Sequence, residues 1–167
     1  MWIKYIINIL LFFAFAVIQN SFLSYFNVMG VVPNLIFVLF FVLFFFNSGD
    51  EGFFNTIAAG FFLDLLYGSY FGVSIFSLVV IYFFQKLIFN FFEKGSNKYL
   101  VVNFMIIFSV GFILYSLLIY LFSIILNFEF NLGWNLIISL IYNLTFGVLV
   151  FYIYEKLIKD NNSKNQL

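Results

Sequence analysis

The stretch that decides the fold is YIINILLFFAFAVIQNSFLSYFNVMGVVPNLIFVLFFVLFFFNSG, Tyr5 to Gly49, which lies between Lys4 and Asp50 and carries no charge. A bilayer core about 30 Å thick takes roughly 20 apolar residues per helix. The run is too long for one crossing and must turn back inside itself. The break falls at Asn27 to Pro33, where Gly30 and Pro33 interrupt the apolar pattern. Helix 1 is therefore expected over about Ile3–Leu23 and helix 2 over about Val32–Phe46, with Pro33-Asn34 in its first turn, where proline gives up no internal hydrogen bond.

Working outward, Asn47-Ser48-Gly49-Asp50-Glu51 reads as a polar turn, helix 3 as about Gly52–Tyr67, and Tyr67-Gly68-Ser69-Tyr70 as the next turn. Helix 4 is expected over about Phe71–Phe91, followed by a charged loop with Glu93, Lys94 and Lys98. Helix 5 covers about Tyr99–Leu126, Asn127–Gly133 turns, and helix 6 covers about Trp134–Leu157. The expectation is an all-α polytopic membrane bundle of about six transmembrane helices occupying residues 1–158. Residues 159–167 are expected as a short polar cytoplasmic tail without regular structure.

Composition agrees. Of 167 residues, 65% are hydrophobic and only 8% charged, against about 25% charged in soluble domains, so the surface must meet lipid. Zero cysteine removes disulfides and thiolate chemistry. Zero histidine removes the commonest general base and transition-metal ligand. Arginine is absent too, so no bidentate phosphate clamp is available. No cofactor is expected, and scattered lysines on a chain of net charge zero leave no footprint for nucleic acid.

Lysine placement tests the helix count. With six helices, Lys4, Lys86, Lys94, Lys98, Lys156, Lys159 and Lys164 all fall on one side. Removing helix 3 or merging two spans would split them between sides. The positive-inside rule then predicts a cytoplasmic-membrane protein with both termini in the cytoplasm. Lys4, the apolar run and Ala14-Phe15-Ala16 resemble a signal peptide. Cleavage there would strand Val17–Leu23 as a stub and put the lysines outside, so an uncleaved first helix is expected.

Polar groups in hydrocarbon each need a partner or a purpose. Gly52, Thr56, Gly60 and Asp64 recur every four residues and share one face of helix 3. Small residues so placed let another backbone approach closely, packing the core or docking a partner helix. Asp64 reads either as a binding or coupling carboxylate or as a structural clamp bonded to a neighbour such as Gln19, Asn20 or Ser24. Ionised at the bilayer centre it would cost roughly 2.5–3.5 kcal/mol, which about ten Phe, Leu and Ile residues offset. Gln19 and Asn20 near the end of helix 1 suggest interhelical hydrogen bonds or a polar pocket. Asn135, Ser139 and Asn143 mark a polar stripe on helix 6. Asp50 and Glu51 lie about 20 Å along helix 3 from Asp64, too far to share a substrate. Glu129 lies on the same side as Asp64. No protease or hydrolase motif can form without the residues it requires.

Two segments carry a resemblance. Gln19-Asn20-Ser21-x-Leu23 followed by Gly30-x-x-Pro33-Asn34-Leu35 resembles the first hairpin of the MreD family of rod shape-determining membrane proteins. Gly49-x-x-Gly52 through Gly60-Phe61-x-x-Asp64, then Gly68-x-x-x-Gly72, resembles that family's glycine-rich third helix ending in aspartate. The likeness is clearest over residues 19–82. Thr56 stands where another glycine is usual, and Asn34 where aspartate is. The resemblance implies a non-enzymatic scaffold of the bacterial cell-elongation complex. Such a scaffold binds MreC and helps couple MreB filaments to RodA and penicillin-binding protein 2. Partner-binding or packing candidates are then Gly52, Thr56, Gly60, Asp64, Gln19, Asn20, Pro33 and Asn34.

A rival expectation is the substrate-binding subunit of an energy-coupling-factor vitamin importer, a family of related architecture. Those subunits commonly carry A-x-x-x-A on helix 1, whereas Ala14 here is followed by Ile18. Outer loops are short, and Glu129 is their only charge. A proton-coupled carrier built on Asp64 would need a second titratable partner within the membrane, and the sequence offers none.

Overall fold

A computed structural model describes residues 2–47, 49–67, 70–92, 100–130 and 133–164. The described residues form six α-helices: α1 Trp2–Ser21, α2 Leu35–Phe46, α3 Asp50–Tyr67, α4 Val73–Phe92, α5 Leu100–Leu126 and α6 Trp134–Lys164. A short 3-10 turn, Leu23–Tyr25, follows α1. Three stretches, Ile3–Ser21, Leu100–Leu126 and Trp134–Ile158, are long and apolar enough to cross a membrane. The expected charged loop at Glu93, Lys94 and Lys98, together with Ser48, Gly68 and Ser69, falls outside the described residues.

The apolar run of α2, LIFVLFFVLFFF, has no polar face at all, so it must be enclosed on every side. Every residue from Leu35 to Phe44 is buried. The other helices are arranged around it: α1 packs on α3, α3 on α4, α4 on α5 and α5 on α6, while α1, α3 and α6 also pack on α2 itself. Aromatic side chains make the joints. Phe37 meets Phe108 and Phe112 of α5 edge-on, at 5.8 and 5.5 Å between ring centroids. Phe44 meets Tyr82 of α4 at 5.6 Å, and Phe46 meets Phe151 and Tyr154 of α6 at 4.9 and 5.1 Å.

Contacts at the two ends show that successive helices alternate in direction. At one end Lys4 of α1 pairs with Glu51 of α3 at 3.3 Å, and the Tyr82 hydroxyl of α4 donates to the Gly49 carbonyl before α3 at 3.0 Å. At the other, Gln19 of α1 meets the start of α2, and Asp64 of α3 meets the start of α4.

Two helix bounds depart most from the sequence expectation, and Asp50 and Glu51, expected in a turn, instead form the first turn of α3. Helix α2 begins at Leu35 rather than Val32, so Pro33 lies just outside it and Asn34 is its cap. With 12 residues it is about 18 Å long, well short of a bilayer core. Being enclosed by protein, it need not reach either interface. Helix α6 continues to Lys164, although 159–167 reads as an irregular tail. Once a helix is running, each further residue adds a hydrogen bond, and neither glycine nor proline stops it before Lys164.

Candidate functional site: two helix caps and the cavity between them

A helix that starts inside the protein leaves its first backbone N–H groups without internal partners, and each must find an acceptor. The start of α2 shows where they go. The Asn34 N–H donates to Oδ1 of Asn143 on α6 at 2.6 Å. The Leu35 and Ile36 N–H groups donate to Oε1 of Gln19 on α1 at 2.7 and 3.4 Å. The Phe37 N–H donates to Oδ1 of Asn34 at 3.0 Å, and Val38 closes the first internal bond to the Asn34 carbonyl at 3.0 Å. Side chains from α1 and α6 thus clamp one end of the central helix. Asn143 is itself steered by α6, donating to the Ser139 carbonyl at 2.7 Å and to the Ser139 hydroxyl at 3.1 Å.

The start of α4 is closed the same way. Oδ2 of Asp64 accepts from the Gly72 N–H at 2.8 Å and from the Ile75 N–H at 3.4 Å, and Oδ1 accepts from the Ser74 N–H at 2.8 Å. Val73 donates to the Tyr70 carbonyl at 3.4 Å. Gly72 has φ +102, a left-handed conformation that side chains rarely adopt, and this swings the chain back over the carboxylate. The groups that hold Asp64 are therefore these amides rather than the expected Gln19 or Asn20, and the expected Ser24 side chain lies outside the described ones. A carboxylate aimed at a helix start finds stronger donors in three converging amides.

The stripe on α3 faces α4. Thr56 is fully buried, and its hydroxyl donates to the Gly52 carbonyl at 2.8 Å. A Cβ added at Gly60 would stand 2.5 Å from Ile75 Cα, and one at Gly52 would stand 2.7 Å from the Asn47 carbonyl oxygen. The four candidates of this stripe lie together along one intramolecular contact. Of the others, Gln19 and Asn34 meet at the α2 cap, Pro33 lies beside it and buried, and Asn20 is on the exposed side of α1.

Because α2 is short, the space beyond its capped end is not filled by helix. A cavity of about 480 Å³ occupies it, bordered by the α1–α2 connection, the start of α4, α5, the α5–α6 connection and α6. Its residues grade from wet to dry. Glu129 and Asn135 are exposed, Ser139 is half-buried, and Asn143, Ser116 and Ser74 are buried. The Tyr115 hydroxyl bonds the Ser74 hydroxyl at 3.2 Å across the wall. The helix 6 stripe Asn135–Ser139–Asn143 is the part of this lining that stands out in the sequence. Ser74, Tyr115 and Ser116 do not, because isolated hydroxyls in apolar helices usually bond the preceding turn, as Ser116 does to Phe112 at 2.9 Å. Asp64 is not a lining residue and does not meet Glu129; it lies behind Ser74.

Elsewhere in the bundle, buried Asn8 of α1 donates to Asn55 of α3 at 2.9 Å, a joint with no counterpart in the motif reading. Among the described residues, no group of His, Cys, Asp and Glu side chains is placed to hold a metal ion. No protein-family model matches this chain, and searches of the curated proteins and of the solved structures find no match either. The fold and site define a class on their own terms. It is an all-helical bundle with three helices fit to cross a membrane and a half-polar cavity over a short, fully enclosed central helix.

Proposed function

We propose that this chain is a non-enzymatic membrane scaffold of the MreD type. In this reading it crosses the cytoplasmic membrane six times with both termini inside, binds MreC, and helps couple MreB filaments to RodA and penicillin-binding protein 2. The observation that supports it is where the resemblance falls. The two segments similar to that family, Gln19 to Leu35 and Gly49 to Gly72, contain the polar atoms that close the starts of α2 and α4, apart from Oδ1 of Asn143. Of these, Gln19 and Asp64 match the family pattern, and both are engaged by backbone amides at helix starts.

The 480 Å³ cavity favours a second reading, the substrate-binding subunit of an energy-coupling-factor importer, since pockets of about 300–1,000 Å³ suit small ligands. One experiment separates the two. The tagged protein is captured from its native membranes in mild detergent and its companions identified by mass spectrometry. Recovery of MreC and the elongation synthases is expected. Recovery of paired ATPases with their membrane coupler, and no MreC, would replace the scaffold reading with the importer.

A further inference from the structure

The cavity has a charge character that neither reading assigns. Among the described residues, Glu129 is the charged residue of its lining and no lysine borders it. Among the described side chains, the lysines Lys4, Lys86 and Lys156 belong to the opposite ends of the helices. Glu129 is exposed and has no ion pair or hydrogen bond among the described residues. The amides at the starts of α2 and α4, which could otherwise attract an anion, are already accepted by Gln19, Asn34, Asn143 and Asp64. Four aromatic side chains, Phe112, Tyr115, Phe128 and Phe130, stand in the wall beside aliphatic Val31, Val32, Val73, Ile119 and Leu136. Ring faces attract cations and repel anions.

We propose that the cavity binds a small organic cation, an ammonium group carried on an apolar or aromatic body. The ammonium sits at the Glu129 rim and the body lies among the aromatic rings. The hydroxyls of Ser139 and Ser116 line the depth of the cavity, and their oxygens can accept hydrogen bonds from donors on the body. The inference does not depend on the scaffold reading; a scaffold and an importer subunit could each carry such a site. The ammonium can come from a free amine or from the headgroup of an aminophospholipid, since both present the same chemistry.

The test uses the full chain in an uncharged maltoside detergent, with three probes of one shape and different charge. These are 1-naphthylmethylammonium, 1-naphthalenemethanol and 1-naphthoate, followed by equilibrium dialysis against empty micelles. Saturable binding of the cation is expected, about ten-fold tighter than the anion. Glu129→Gln, a conservative change at an exposed position, should weaken the cation about five-fold and leave the alcohol unchanged. Glu129→Lys should invert the preference toward naphthoate, a gain that misfolding cannot mimic. Competition by added phosphatidylethanolamine would assign the lipid source, and its failure the free amine. No saturable cation binding, an anion bound as tightly as the cation (the result if the amides opening α6 dominate), or indifference to Glu129→Gln would each overturn the proposal.

Discussion

At the scale of residues, buried polar groups act here on helix ends. Asp64 accepts three backbone N–H groups at the largely buried start of α4. Replacing it with alanine leaves those donors buried and unpaired, at about 1–3 kcal/mol for each well-formed bond lost. Asp64→Ala is therefore expected to destabilise the fold by about 2–4 kcal/mol in mixed-micelle unfolding. Asp64→Asn, which keeps one acceptor oxygen but turns an NH2 donor toward the amides, should fall between. A loss under about 0.5 kcal/mol in the alanine variant would contradict the capping role. The sequence displays Gln19, Asn34 and Asp64 plainly, because amides and carboxylates stand out in an apolar background. Their partners are hidden, since a helix start is a property of the backbone and carries no residue type. That is why Asp64 reads as bonding Gln19 or Asn20, while the groups that hold it are the amides of Gly72, Ser74 and Ile75.

At the scale of elements, the α3–α4 contact is set by absent side chains. Gly60→Ala would place a methyl 2.5 Å from Ile75 Cα, so two backbones must separate. Overpacking of this kind costs about 1–3 kcal/mol. Gly147→Ala offers the comparison: its Cβ would meet Phe108 and Phe104 at 3.4–3.6 Å, ordinary contact, and the change should stay within about 0.5 kcal/mol. Comparing the two alanine variants by thermal unfolding in detergent checks the contact; equal effects would rule against it. The four-residue spacing of Gly52, Thr56, Gly60 and Asp64 makes the stripe legible. It leaves open which helix meets the stripe, and the structure places it on α4. Helix length is less legible than helix existence. The apolar run ending at Phe46 promises a full crossing from Val32, yet Asn34 and Gln19 start α2 three residues later. Only the cap geometry reveals this.

At the scale of the whole molecule, the alternating helices bring the first turn of α1 and the last of α2 to one end, and the cavity to the other. If the chain crosses the membrane as proposed, the two ends face different compartments. A fluorescent protein fused after Leu167 should then mature, and alkaline phosphatase inserted after Phe128 should be active. The reverse pattern would turn the topology over. The distribution of lysines is what makes this arrangement readable from sequence. The cavity is not readable, because it arises from a shortfall of α2 set against four neighbouring segments. None of those segments shows the gap by itself.

The clamp on α2 also has a consequence in time. The Asn34 amide bonds a side chain 109 residues downstream. At a synthesis rate of about 5–20 residues per second, roughly 5 to 20 s separate the two leaving the ribosome. During that interval α1, α3 and α5 can already pack on the central helix, but the Asn34 amide still lacks its acceptor on α6. A nascent chain halted before Asn143 therefore holds an unfinished core, which cellular quality control can recognise by its open amide.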